Sequence, residues 1–262
     1  MTMSQELAPH FERRSPRRWA KAASLGFALT GLLAGPVRSA PVVVGYQEGL
    51  VRAFPVLRSA GNELLAQGDF VQIARGDQVT ARLVFRFKDG SLHDETVVFS
   101  QRGVLTMLSY RLVQRGPSFP ESLDAWVDRE TGRYEVRHRA DEDSAEEHVT
   151  GSVTLPDDTY NGMLSLVVKN LPPGASETVS LVAFTPRPRV VKLQLLPVAR
   201  ESEPMGEVIR YHIRPRLGLL TSLLIADIPD TRVWILLGDA PAFLKAEGPL
   251  YFMGPTWRVE PN

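Results

Sequence analysis

The side chains with the most chemical potential in this sequence are its histidines and their acidic neighbours. His93-Asp94-Glu95 and Glu146-Glu147-His148 each set an imidazole beside carboxylates, a group that can hold a metal ion or exchange protons as an acid/base pair. Both runs sit near expected turns among solvated charges, which favours reading them as ordinary surface residues. His138 and His212 stand apart, and no His-Glu-x-x-His or other zinc spacing occurs. Asp157 and Asp158 are neighbours in the chain, an arrangement suited to capping a helix rather than to the facing carboxyls of glycoside hydrolysis. Arg210, His212, Arg214 and Arg216, with Arg187 and Arg189, form a basic set. It could meet an anionic lipid headgroup or polyanion, or be a solvated arginine-bearing face.

Other chemistries lack their parts. There is no Gly-x-Ser-x-Gly elbow and no phosphate-cradling glycine loop, so serine hydrolysis and nucleotide binding have no scaffold here. The chain has no cysteine, which excludes disulfides, thiolate zinc sites and thiol nucleophiles. The sequence therefore predicts no catalytic residue, no cofactor and no metal site.

The elements that would position these residues are mostly strands. Val79, Ala81, Leu83, Phe85 and Phe87 alternate with Thr80, Arg82, Val84, Arg86 and Lys88, the pattern of a strand with one buried face. Asp89-Gly90 closes it as a hairpin. Further strands are expected over 91–100, 104–114 and 123–127. After the turn Arg129-Glu130-Thr131-Gly132, the next strand puts Tyr134, Val136 and His138 on one face. The acidic run 141–147 reads as a solvated hairpin tip. Later strands are expected over 178–184, 190–196, 208–214, 233–237, 242–246 and 256–259, and the apolar stretch 217–228 fits a strand or a short helix. The closing segment 248–260 is dense in aromatics and turn formers and should seal one end of the sheet.

One segment breaks the rhythm. Tyr160, Met163, Leu164, Val167, Val168 and Leu171 lie on one stripe of a helix over 160–171, with Asp157 or Asp158 as cap and Pro172-Pro173-Gly174 as stop. Such a helix in a β chain needs an apolar receiver, and the concave face of a curved sheet supplies one. The expected fold is thus mainly β, a curved antiparallel sheet or half-barrel with one amphipathic helix on its concave face. If the interior holds a groove, Trp126, Tyr160, Met163, Leu164 and Val167 are its candidate ligand-binding residues; the alternative is an ordinary filled core.

The N-terminus sets the expected address. Arg13, Arg14, Arg17, Arg18 and Lys21 precede an uncharged apolar run over 22–35 and the small residues of Val37-Arg38-Ser39-Ala40, the layout of an export signal. The run is too short and too rich in Ala and Gly for a stable transmembrane anchor. Cleavage after Ser39 places Val37 and Ser39 at the recognised positions, dividing the chain into a signal peptide, 1–39, and a single domain, 40–262. The arginine pairs also invite twin-arginine export, although Arg17-Arg18 lacks the Phe-Leu that usually follows. The whole chain is formally neutral, with 30 basic and 30 acidic residues. Losing the six basic and two acidic residues of 1–39 leaves a net charge of −4, which argues against a nucleic-acid partner. The expected location is periplasmic or secreted.

Leu155-Pro156-Asp157-Asp158-Thr159-Tyr160, and Val233-Trp234-Ile235 leading through Gly238-Asp239-Ala240-Pro241, resemble a family of uncharacterised secreted bacterial β domains. Those domains in turn resemble half-barrel carriers of the lipoprotein-localisation type. The resemblance spans about residues 45–260 and implies an antiparallel half-barrel wrapped around a helix, with no catalytic residue to carry over. Together these readings favour a non-enzymatic periplasmic binding or carrier protein for an apolar or amphipathic envelope molecule such as a lipid. The alternative is a structural or interaction module with a filled core and an envelope protein as partner. Mass spectrometry of the exported product is expected to find the new N-terminus at Ala40; an intact N-terminus with membrane retention overturns the signal assignment.

Overall fold

A computed structural model describes residues 41–262 apart from 142 and 217–229. The expected signal and the apolar stretch 217–228 lie outside the described residues.

The described residues build one fifteen-stranded antiparallel sheet. Its first half comprises β1 (Val51–Ala53), β2 (Val56–Ser59), β3 (Leu64–Arg75), β4 (Gln78–Phe87), β5 (Leu92–Ser100), β6 (Thr106–Arg115), β7 (Ser122–Asp128), β8 (Arg133–Arg139) and β9 (Glu147–Ser152). A short helix, α1 (Leu164–Asn170), separates these from β10 (Glu177–Phe184), β11 (Pro188–Glu203), β12 (Gly206–Pro215), β13 (Thr231–Leu236), β14 (Ala242–Gly248) and β15 (Trp257–Glu260). The spatial order runs β10-β11-β12-β13-β14-β15-β2-β3-β4-β5-β6-β7-β8-β9, and β1 also pairs with β3. The last strand therefore docks beside β2, while β9 and β10 end the sheet, which curls without closing.

Local chemistry accounts for the strands. In β4, Val79, Ala81, Phe85 and Phe87 are buried while Thr80, Arg82 and Arg86 are exposed, as the period of two requires. Gly90 takes φ 88° in the β4–β5 turn, and Asp89 Oδ1 accepts the Ser91 N–H at 2.8 Å. β1 and β2 are one strand path broken at Phe54-Pro55, because proline cannot donate to the ladder. Across the break, Gly68 donates to the Pro55 carbonyl at 2.7 Å. A Cβ on Gly68 would stand 2.6 Å from that oxygen and 2.8 Å from the Phe85 ring, so only glycine fits this approach. The acidic tip falls between β8 and β9, and Leu250 and Tyr251 of the closing segment pack on Phe119 and Trp257 at one end of the sheet.

The helix departs from expectation. It begins at Leu164 rather than near Tyr160, its N-cap is Met163, and no side chain caps it. Neither Asp157 nor Asp158 serves as cap. Residues 158–161 instead lie along the free edge of β10: Ser180 N–H donates to the Asp158 carbonyl at 2.8 Å and Tyr160 N–H to the Ser180 carbonyl at 3.0 Å. Asn161 completes the strip, its Oδ1 accepting from Val182 N–H and its Nδ2 donating to Val182 O, both at 2.8 Å. Backbone satisfaction at the sheet edge has overridden helical periodicity for these residues.

From that edge the chain turns α1 onto the concave face. Met163, Leu166, Val167 and Val168 join Leu195, Ile209, Tyr211, Val233 and Ile235 in the core. A strap before β1 secures the helix, with the Gly45 and Tyr46 N–H groups donating to Asn170 Oδ1 at 2.8 and 2.9 Å. Val42 N–H donates to the Tyr160 hydroxyl at 2.9 Å. Leu164, expected to be deeply buried, is half-buried, whereas Met163 and Val167 are fully enclosed. Met163→Ala is expected to cost about 2–5 kcal/mol and Leu164→Ala distinctly less, as read from paired denaturant unfolding curves.

Candidate functional site

The two faces of the sheet carry different chemistry. On the convex face, Arg82 pairs with Asp94 across β4 and β5, and Arg111 with Asp124 across β6 and β7 at 2.9 Å. The Asp94 carboxyl is held below its usual range by the Arg82 guanidinium, and Arg82 and Arg111 are raised by their carboxylate partners. Arg111, Asp124, Trp126, Glu135 and Arg137 line a shallow polar depression of about 320 Å³. These exposed pairs fix cross-strand register and contribute little each.

This places Trp126 away from the other expected ligand-binding residues. Leu123, Ala125 and Val127 all point inward from β7, so Trp126 between them must point out. The structure brings Tyr160, Met163 and Val167 together in the core with Leu164 at its margin, and leaves Trp126 on the opposite face.

The histidine runs are divided in the same way. In β5, His93, Glu95, Val97 and Phe99 share the inner phase, while Asp94 faces Arg82 outside, so His93-Asp94-Glu95 is not one site. His148 meets Glu135 at 3.1 Å and His138 meets Glu121 at 2.6 Å; Glu146 and Glu147 are exposed. Among the described residues no three histidine, aspartate or glutamate side chains converge as a metal site. The basic face is largely internally paired: Arg210 meets Glu201 at 3.2 Å, Arg214 meets Asp230 at 3.5 Å, and Arg210 also lies over the Trp234 ring.

The inner face holds three polar positions of unequal satisfaction. Glu48 in the strap is nearly enclosed and fully partnered. Lys169 of α1 is its ion pair, and its second oxygen accepts from Gln72 Nε2 at 2.9 Å. Its backbone N–H and carbonyl bind the Gln101 side chain at 2.7 and 3.0 Å. This is a structural lock, since a buried charge holds only when paired and hydrogen-bonded.

Glu95 is different. Register sets it directly between Leu83 of β4 and Leu112 of β6. Both leucines are half-buried and pack against the inner core, as do Phe70 of β3 and Phe184 of β10. One Glu95 oxygen accepts the Tyr110 hydroxyl at 2.6 Å, and Phe184 stacks on the Tyr110 ring at 6.0 Å and 9°. Burial first, and then Glu95, push the Tyr110 hydroxyl well above its ordinary range, so it stays a donor. Gly162, at φ 68°, passes over this ring, where a Cβ would reach Tyr110 and Val97 at 3.3 Å.

His93 lies two residues along the same face in an aromatic box formed by Phe85 at 6.2 Å and Phe119 at 6.5 Å. Gln114 Nε2 donates to the Leu250 carbonyl at 2.7 Å and stands 3.0 Å from His93 Nδ1. That amide nitrogen can only donate, so Nδ1 accepts and neutral His93 carries its proton on Nε2. Nε2 is buried with no hydrogen-bond partner among the described residues. Sequence reading treated His93 and Glu95 as solvated residues near a turn; their shared phase with Val97 and Phe99 was the available signal for an inward position.

No protein-family model and no curated protein matches the sequence. Among solved structures, the chain is similar to a β-barrel-like protein of the DUF1849 domain of unknown function from Brucella abortus, at 12% identity and a TM-score of 0.44 over 85% of this chain and 98% of that one. No helix of the described residues is long and apolar enough to cross a membrane.

The inner face also sets a pH response. Burial lowers the His93 pKa below its ordinary 6.5, so as pH falls the unfolded chain takes up this proton first. The stabilisation is complete above 6.5 and declines as pH drops towards the folded-state value. The melting temperature is expected to fall between about pH 7.5 and 5 and to flatten in His93→Gln, with a smaller slope left by His212, also lowered by burial. An unchanged slope in the variant would place the titration elsewhere.

Proposed function

We propose that this chain is an exported, non-enzymatic carrier that binds one amphipathic envelope molecule on the concave face of its sheet. The observation that carries the reading is the set Phe70, Leu83, Leu112 and Phe184, which face inward yet remain half-buried. Apolar surface left accessible on an inner face gains free energy when a ligand chain covers it. Glu95, set among these residues, supplies a polar point at which an amphiphile's head can be fixed. The layout resemblance to lipoprotein-localisation-type half-barrels supports the same reading by analogy, and the signal-like N-terminus supports a periplasmic setting. Of the residues first expected to line the groove, Tyr160, Met163 and Val167 are enclosed in the core with Leu164 at its margin, so the proposed ligand surface lies beside them, and Trp126 is on the other face.

The alternative, an interaction module of the envelope, draws support from β9. This strand ends the described sheet and is exposed at Glu147, His148, Thr150, Gly151 and Ser152, an edge that a strand of another protein could extend. Native mass spectrometry of protein gently extracted from the envelope separates the two. The carrier reading expects a co-purifying amphiphile, retained in Trp126→Ala and bound about tenfold more weakly in Phe184→Ala. A stable protein partner with repeated absence of any small ligand would favour the module instead.

A further inference from the structure

Several carboxylates of the described residues pair with a cation, and Glu95, on the inner face, does not. Glu48 has Lys169 and Asp158 has Lys192 at 2.6 Å, while outside, Asp94, Asp124 and Glu201 have arginines. Among the described residues no Lys or Arg lies within ion-pair distance of Glu95. Its cross-strand neighbours on the same face are Leu83 and Leu112, and among the described residues its one hydrogen bond comes from Tyr110. A carboxylate in a half-apolar wall is poorly solvated and attracts positive charge more strongly than one in water.

We infer that the molecule carried here is a cationic amphiphile, with an amine or quaternary ammonium group against Glu95 and an apolar chain along Leu83, Leu112 and Phe70. The inference rests on the carrier reading and adds the sign of the ligand's charge. The geometry supplies three matching elements. The carboxylate is oriented by the Tyr110 hydroxyl, so its free oxygen is fixed for an incoming cation. The half-buried Phe184 ring, stacked on the enclosed Tyr110 ring, presents aromatic surface on this face, which favours cations with apolar substituents. The neutral His93, two residues along the strand, adds no positive charge that would compete for the carboxylate. A fatty acid, by contrast, would bring a second negative charge to Glu95 with no basic side chain to offset it.

The test titrates the delipidated exported chain with dodecylamine, dodecyltrimethylammonium, dodecanol and dodecanoate, each below its micelle concentration, by isothermal titration calorimetry. The two cations are expected to bind at least about tenfold more tightly than dodecanol, and dodecanoate more weakly than either. Glu95→Gln keeps the side-chain shape and the Tyr110 hydrogen bond. It should erase the preference for cations, leave dodecanol binding unchanged and show an unaltered circular dichroism spectrum. Equal binding of all four chains, or a cation preference that survives Glu95→Gln, overturns the charge assignment and leaves the carrier reading standing. No binding of any chain overturns both. If Glu95→Gln fails to fold, Leu112→Lys provides the second arm: a lysine beside Glu95 should neutralise it and reverse the order of dodecylamine and dodecanoate, and an unreversed order counts against the inference.

Discussion

An open sheet must satisfy the backbone groups along its edges, and the way β10 does so organises much of this molecule. Its outer edge would otherwise present unpaired N–H and carbonyl groups near the core. Residues 158–161 supply the missing partners, with Asn161 standing in for a backbone residue by bonding both groups of Val182. Asp158 is drawn in with them and bonds Ser180 Oγ at 2.9 Å and Lys192 Nζ at 2.6 Å. Once those residues are laid against β10, the chain emerges at Met163 already over the concave face. The position of α1, the burial of Tyr160 and the docking of the strap on Tyr160 and Asn170 all follow. Arg129 ties the same segment to the far half of the sheet, donating from Nε to the Met107 carbonyl and from Nη2 to the Pro156 carbonyl at 2.5 and 2.9 Å.

The polar groups inside the sheet divide by how completely they are satisfied, and that division separates structure from candidate function. The Glu48 lock engages both carboxylate oxygens and both of its backbone groups in contacts within the protein. Such a saturated buried network fixes geometry, here the join between strap, α1 and the inner side of β3. Glu95 and His93 have capacity left over, the first as an acceptor and the second as an N–H donor. Stability alone would be served as well by apolar residues at both positions. Their presence in the wall of Leu83, Leu112, Phe85 and Phe119 gives the concave face polar points within an otherwise apolar surface.

Much of the fold was legible because hairpin chemistry and alternation agree locally. Asp89-Gly90 and Thr131-Gly132 mark turns that fix antiparallel neighbours, and strands such as β4, β10 and β12 declare their inner faces through Val, Ile, Phe and Tyr. β9 was illegible since Glu147-His148-Val149-Thr150-Gly151-Ser152 contains one large apolar residue and gains its strand state from pairing with β8. β1 and β2 were hidden by Pro55, whose disruption is repaired by a long-range contact to Gly68 that no local pattern encodes. The start of α1 was misplaced because Tyr160 and Asn161 match the helical stripe yet do more for the sheet edge. Trp126 was misassigned for a simpler reason: aromatic character outweighed the phase set by Leu123, Ala125 and Val127.

The same phase argument explains why the candidate site was readable in part. Val97 and Phe99 place odd-numbered β5 residues inside, and Glu95 and His93 inherit that phase. What the sequence could not supply is the neighbourhood: Leu83, Leu112 and Phe184 come from β4, β6 and β10, and only register brings them beside one carboxylate. A charged residue in an inward phase is a conflict between local composition and global burial. Such conflicts persist where something beyond folding uses them. In this chain the conflict at Glu48 is resolved internally by Lys169, whereas Glu95 receives the Tyr110 hydroxyl but no cation among the described residues. Without a cationic side chain beside it, that charge is the feature of the concave face on which the proposed carrier reading turns.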